Sequence, residues 1–175
     1  MTLPGRPGQY ASMNGSIRDI RRGDAPRVCE LYNHYILNST ASFEEEAVPS
    51  PEMAKRIDEV TARYPWYIYE EDGRVLGFAY AGVFKSRSAY RFTAETTVYL
   101  DKDVHGRGIG TALYRRLLDS LRDMQLHAAI ACIALPNEKS RALHEKMGYK
   151  KIAHFEQVGF KFGKWIDLGY WELLL

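Results

Sequence analysis

A chain of 175 residues, 46% hydrophobic and 26% charged, has the length and make-up of one folded domain, which excludes disordered and collagen-like chains. With 24 Lys and Arg against 22 Asp and Glu, the net charge of +2 supplies no argument for a nucleic-acid partner. The longest uninterrupted apolar run, Ala128 to Leu135, is eight residues, against the ~20 that a membrane-spanning helix needs.

Residues 1–15, with two prolines, three glycines and no periodicity, read as a mobile tail ahead of a single domain over residues 16–175. The tail lacks the apolar stretch of a secretory signal. Cys29 and Cys132 form no CxxC pair and no zinc-ligand spacing, so they read as buried thiols, with no metal expected and the cytoplasm as the setting. A short strand is expected at Ser16 to Ile20. Asp24 then caps a helix with Pro26 in its first turn and Val28, Leu31, Tyr32 and Tyr35 at helical spacing. Ser50-Pro51-Glu52 opens a second helix toward Ala62.

Trp66 to Glu70 and Val75 to Ala81 have strand character and flank Glu71-Asp72-Gly73-Arg74, whose Asp-Gly predicts a tight hairpin. Arg91 to Leu100 is the next strand, rich in β-branched and aromatic residues. After a glycine-rich loop, Thr111 to Met124 is expected as a helix with Leu113, Leu117, Leu121 and Met124 on its core stripe. Ala128 to Leu135 fits a strand covered on both faces. Asn137 to Met147 is a helix closed by Gly148, and strands at about Lys150 to Val158 and Trp165 to Leu174 complete the chain. This order predicts a mixed α/β sheet flanked by helices.

The loop Gly106-Arg107-Gly108-Ile109-Gly110-Thr111 is the most informative segment. Glycines let successive backbone N–H groups turn toward one point, and the following helix N-terminus adds positive potential. Arg107 places a full charge beside it. A Walker loop would need Lys and Ser or Thr after its last glycine, and a dinucleotide fingerprint would need glycine at Thr111 or Leu113; both fail. A turn that binds nothing is the competing reading at this point.

The string His105-Gly106-Arg107-Gly108-Ile109-Gly110 resembles the Q/R-x-x-G-x-G/A pyrophosphate loop of the GNAT acyltransferase superfamily, with His105 where Gln or Arg is usual. Asn137, Ser140 and Gly148-Tyr149 resemble that superfamily's second cofactor segment. Four further blocks are similar to the phosphinothricin N-acetyltransferase family: Lys85 to Tyr90, Thr93 to Tyr99, Leu135 to Glu138 with His144-Glu145, and Gly159-Phe160-Lys161 with Trp165 to Trp171. The resemblance implies a mostly antiparallel twisted sheet of about seven strands with about four helices. It implies acetyl-CoA as co-substrate, the amine of phosphinothricin or a methionine sulfoximine-like amino acid as acceptor, and a homodimer. No nucleic acid or membrane enters as a partner.

Acetyl transfer to an amine needs a base, because amino groups are largely protonated near neutral pH, and it needs N–H donors for the oxyanion. On a period-two strand Glu95, Thr97 and Tyr99 share one face, and Glu95 among β-branched and aromatic neighbours is the candidate base. An ion pair with Lys85 or Arg87 is the competing reading for that carboxylate. Asn137, Ser140 and His144 fall on one face of their helix, and the resemblance implies an active-site role for His144. Arg141 and Glu145 read as an i,i+4 ion pair on another face. Val98, Tyr99 and Leu100 would offer main-chain groups to pantetheine, Gly106 to Thr111 would hold the pyrophosphate, and Asn137 with Ser140 would meet the arm. Lys85, Arg87 and Tyr90 are expected to bind the acceptor's acidic groups. Two other readings stay open: acetylation of a polyamine, drug or peptide N-terminus, and a CoA-binding sensor without turnover.

Overall fold

The computed structural model describes residues 15–104 and 106–175; residues 1–14 of the tail expected over 1–15, and His105, lie outside the described residues. The chain runs β1 (Ser16–Asp19), α1 (Ala25–Asn38), α2 (Ser50–Thr61), β2 (Trp66–Glu71), β3 (Arg74–Val83) and β4 (Thr93–Leu100). It continues through α3 (Ile109–Asp123), β5 (Ala128–Leu135), α4 (Glu138–Lys146), β6 (Lys150–Lys161) and β7 (Lys164–Leu174). One seven-stranded sheet forms in the order β1-β2-β3-β4-β5-β7-β6, and every neighbouring pair is antiparallel except β4 with β5. The expected mixed sheet with four helices is therefore the fold.

Local chemistry explains most elements. Asp72 and Gly73 both take positive φ, 50° and 74°, the conformation a two-residue hairpin turn requires between β2 and β3. In β5, Ala129, Ala131 and Ile133 are buried on the α3 side and Ile130 is buried on the other face. Cys132 on that second face is only half-buried, so the strand is not covered by helices on both faces as its apolar run predicts. On one face α3 sets Leu113, Leu117 and Leu121 against the sheet; on the other, α1 and α2 pack Val28, Leu31, Met53 and Ile57 against Ile68 and Phe78. Each such side chain stabilises the fold by ~1.5–3 kcal/mol relative to exposure.

Three further expectations need correction. Asp24 does not cap α1: its carboxylate accepts two N–H bonds from Arg18, both at 2.9 Å, and the Arg21 amide at 2.7 Å. A two-pronged charge-assisted bond wins over a single capping bond. Met124 ends α3 and is 43% exposed, off the core stripe. Strand β6 runs on to Lys161 through two register shifts, because Gln157 at φ 53° forms a bulge that bends the strand without ending it.

One topological detail positions the site. Strands β4 and β5 pair only from Thr93–Ala128 to Glu95–Ile130. Past that point β4 stays with β3 as far as Leu100 and β5 stays with β7 as far as Leu135. The two parallel strands part inside the sheet, and the gap opens as a cleft.

Candidate active site

The cleft has a volume of about 720 Å³. On β4 the period-two reading holds. Tyr99 packs its ring 5.1 Å from Tyr32 and 5.0 Å from Tyr35 of α1, whereas Ala94, Val98 and Leu100 join the α3 side. Because β4 has lost its neighbour here, residues of both faces reach the gap. Glu95, Val98, Tyr99 and Leu100 line it from β4, and Asn137, Ser140 and His144 line it from α4.

Glu95 stands opposite Gly82 in the β3–β4 register, and a Cβ at Gly82 would meet nothing within 4 Å. The half-buried carboxylate therefore looks onto open space. Burial pushes its pKa above the ordinary 4.5, and a hydrogen bond from the Cys132 thiol pulls partly back. No ion pair with Lys85 or Arg87 forms among the described residues. Cys132 faces Tyr170 across β5 and β7 and is half-buried in the cleft, where burial and the Glu95 charge push its thiol up to about 12. Such a thiol is no nucleophile near neutrality.

His144 is 4% exposed. Its Nδ1 lies 2.7 Å from the Ser140 carbonyl and its Nε2 lies 2.6 Å from the Tyr114 hydroxyl. A carbonyl only accepts, so Nδ1 carries the hydrogen and Nε2 accepts from Tyr114. Thr96 and Tyr149 extend the network, their hydroxyls 2.8 Å apart, with Thr96 donating to the Ile130 carbonyl at 3.2 Å. Nothing in the sequence singles out Tyr114, because its place beside Leu113 and Leu117 reads as core. The usable signal is that a buried tyrosine hydroxyl has to find a partner. Asn137 serves first as the cap of α4, its Oδ1 accepting the Ser140 amide at 3.1 Å.

Beyond Leu100 the glycine loop behaves as its composition predicts. Gly106 and Gly108 take φ of 79° and 82°, and Gly108 stands directly before α3. A Cβ at Gly110 would sit 3.2 Å from Leu143 and 3.4 Å from Leu100, so glycine lets α3 approach α4 and β4. Ile109 is buried and Thr111 half-buried, and the amides of this first turn have no intrahelical partners. Arg107, however, is drawn away: one guanidinium nitrogen lies 2.8 and 2.6 Å from the two Glu71 carboxylate oxygens.

Lys85, Arg87 and Tyr90 are not brought into the cleft. A short turn at Ser88–Tyr90 folds Tyr90 edge-on to Phe84 at 5.7 Å. The Lys85 ammonium then rests 5.0 and 5.3 Å from those two rings, a cation–π arrangement, with Arg87 exposed beside it.

The opposite wall comes from the α1–α2 loop, which lines the cleft with Ser42, Phe43 and Glu44. Lys161, at the tip of the β6–β7 hairpin and 2% exposed, donates to the carbonyls of Ser39 at 3.0 Å and Ser42 at 2.7 Å. Gly159 packs so close to Phe43 that a Cβ there would fall 2.5 Å from the ring. The hairpin tip thus pins the loop.

A strand edge without a neighbour, followed by open amides on a glycine turn, suits an extended amide-bearing arm that ends in a pyrophosphate. The comparisons agree with that chemistry. The sequence model of the acetyltransferase (GNAT) domain matches residues 17–169. A phosphinothricin N-acetyltransferase of Streptomyces viridochromogenes is 38% identical over 156 residues, 89% of this chain and 85% of the relative. An L-methionine sulfoximine/L-methionine sulfone acetyltransferase of Salmonella typhimurium is 34% identical over 164 residues, 91% of this chain and 94% of the relative. The crystal structure of a GNAT superfamily phosphinothricin acetyltransferase from Sinorhizobium meliloti, in complex with acetyl-CoA, matches with a TM-score of 0.90 at 34% identity. That match covers 93% of this chain and 89% of the other.

Proposed function

The chain belongs to the GNAT acetyltransferase family, in its phosphinothricin N-acetyltransferase branch, and from that premise we propose that it acetylates the α-amine of a small amino acid with Glu95 as general base. The observation that carries this reading is the Glu95 carboxylate, half-buried where β4 and β5 part and facing the bare Gly82. The relatives are named for phosphinothricin and for methionine sulfoximine and sulfone, all compact α-amino acids.

Glu95 takes the ammonium proton, directly or through a water, and the freed amine attacks the thioester carbonyl of acetyl-CoA. Main-chain N–H groups along Val98 to Leu100 stabilise the oxyanion and hold the pantetheine arm, which Asn137 and Ser140 meet from α4. Collapse breaks the carbon–sulfur bond, the CoA thiolate takes a proton from the Tyr114–His144 pair, and the surplus proton of the acylated nitrogen passes back to that pair through water, which leaves the amide neutral. Amides of Gly106 to Thr111, with Gly108, Ile109 and Gly110 in the first turn, bind the pyrophosphate together with Arg107. Lys85, Arg87 and the Tyr90 hydroxyl stand outside the cleft between β3 and β4, and to receive the acceptor's carboxylate they have to turn away from the Phe84–Tyr90 stack. No covalent acyl-enzyme is involved, because the Cys132 thiol stays protonated.

Thiol release from acetyl-CoA with phosphinothricin, methionine sulfoximine, methionine sulfone, a polyamine and a peptide N-terminus tests this reading. An amino-acid sulfone or sulfoximine above the acceptor-free rate is the expected outcome. Thermal stabilisation by acetyl-CoA with no thiol release from any amine would instead make the protein a sensor. A homodimer is proposed through β6 and its hairpin, where Phe155, Val158, Phe160 and Trp165 are exposed. A monomer mass by light scattering at micromolar concentration would refute it. The free thiols of Cys29 and Cys132 suit a reducing, cytoplasmic setting.

A further inference from the structure

Behind Tyr80 lies a second cavity of about 150 Å³. Met53, Val60, Trp66, Phe78 and Tyr80 supply its apolar walls. It shares Tyr32, Glu44 and Tyr80 with the cleft, so the two spaces adjoin across these three side chains.

Strand register tells how this cavity stands to Glu95. Glu95 pairs with Gly82 and Thr97 with Tyr80 across β4 and β3, and Tyr80 pairs with Trp66 across β3 and β2. Directly paired residues share a face, so all of these look toward α1 and α2. Tyr80 is the diagonal neighbour of Glu95, ~7–8 Å away, and Trp66 lies one strand further, another ~4.8 Å. The Tyr80 and Trp66 rings stack with centroids 4.3 Å apart. An amino acid with its amine at Glu95, over the bare Gly82, has Tyr80 as the floor along which its side chain runs toward Trp66.

The charges around the cavity are as telling as its shape. Glu44 and Glu59 border it, and its cation, Arg56, is bound to Glu44 at 2.7 Å and to Glu52 at 3.4 Å. Although burial opposes it, the Arg56 guanidinium and the Tyr32 hydroxyl hold the Glu44 carboxyl below its usual range, so it carries its charge at neutral pH. An anionic tip entering here would meet carboxylates and a guanidinium already paired. The buried Trp66 indole N–H has no hydrogen-bond partner among the described residues. A sulfonyl oxygen reaching it would satisfy that donor without bringing a charge past Glu44.

The geometry points to this cavity as the pocket for the acceptor's side chain, selecting an uncharged thioether, sulfone or sulfoximine over an anionic phosphinate. The inference rests on the N-acetyltransferase reading and narrows its acceptor.

The test compares kcat/KM for methionine sulfone, phosphinothricin and alanine in the wild type and in Val60→Phe, which fills the cavity. Wild-type protein should favour methionine sulfone over phosphinothricin by at least about tenfold. Val60→Phe should lower the methionine sulfone value by about tenfold relative to alanine, whose methyl group stops short of the cavity, with acetyl-CoA affinity unchanged. Met53→Phe fills the same space from α2 and replaces Val60→Phe if that variant does not fold. A wild-type preference for phosphinothricin overturns the inference, as does an equal change for all three acceptors. Thiol release from some other amine alone would sink the amino-acid reading as well as the pocket. If nothing turns over, calorimetric titration of methionine sulfone into CoA-loaded protein decides: binding lost in Val60→Phe supports the pocket, and no binding to the wild type overturns it.

Discussion

The Tyr114 hydroxyl stands 2.6 Å from Nε2 of His144 and donates to it, while the opposite ring nitrogen donates to the Ser140 carbonyl. The fold therefore holds this histidine neutral, in one tautomer. Burial also pushes its pKa below the ordinary 6.5, with the Ser140 bond opposing. The unfolded chain starts to bind a proton near ~6.5 whereas the native state waits for a lower pH, so the histidine's contribution to stability is complete above ~6.5 and declines as pH falls toward the native value. Thermal unfolding followed from pH 8 to pH 5 should show a loss on acidification that His144→Phe removes. The same substitution should lower kcat by ~10²-fold, since it severs Tyr114 from its partner. An acid-side stability profile identical in both proteins would refute the neutral-histidine assignment.

Glu95→Gln should cut kcat by ~10²–10⁴-fold and leave acetyl-CoA affinity within about twofold, because a general base is needed for the amine and not for the cofactor. The acid limb of kcat/KM should report a pKa above 4.5, as burial of the carboxylate requires. Cys132→Val keeps the neighbourhood apolar while deleting the thiol donor that favours the charged carboxylate. In that variant the limb should move further toward alkaline pH. A limb that stays in place, or moves toward acid, would show that another group carries it.

What the sequence disclosed and what it hid follow a physical divide. The Asp72-Gly73 hairpin, the apolar run of β5 and the leucine stripe of α3 are local signals, each read from neighbours within a turn or two. The shared helix face of Asn137, Ser140 and His144 was legible for the same reason, and all three line the cleft. Tyr114 was hidden because its meaning depends on His144, 30 positions away. Lys161 and Ser42 are 119 positions apart. Lys85 and Arg87 show the converse limit. Their charge is written in the sequence, but its direction is set by the Phe84–Tyr90 stack, which turns Lys85 onto aromatic faces. Likewise the charge of Arg107 is written in the sequence, but its pairing with Glu71, 36 positions away, is not.

That pairing of Arg107 with Glu71 makes a prediction about cofactor binding. Both side chains reach solvent, Arg107 at 41% exposure, so the bond is worth only ~0–1 kcal/mol after screening. Glu71→Gln would leave Arg107 free for the pyrophosphate and should tighten acetyl-CoA binding by about two- to fivefold at low salt. The gain should shrink as ionic strength rises and the Debye length falls to ~8 Å near 0.15 M. Weaker or unchanged acetyl-CoA affinity in Glu71→Gln would mean that Glu71 places Arg107 and does not compete for it.

Lys161 and Gly159 fasten the same loop by unrelated contacts, one through hydrogen bonds to the Ser39 and Ser42 carbonyls, the other by close approach to Phe43. Lys161→Met removes both bonds and leaves two carbonyls short of a donor, a loss of ~1–3 kcal/mol in stability. Gly159→Ala touches no polar group but sets a methyl 2.5 Å from the Phe43 ring, which must move. If the loop is the acceptor wall of the cleft, both variants should raise the acceptor KM several-fold while acetyl-CoA affinity stays constant, since the cofactor is proposed to lie along β4 and the start of α3. Stability would separate them, because only Lys161→Met loses hydrogen bonds. An unchanged acceptor KM in both variants would place the acceptor elsewhere, and a parallel loss of acetyl-CoA affinity would mean that the hairpin tip supports the whole cleft.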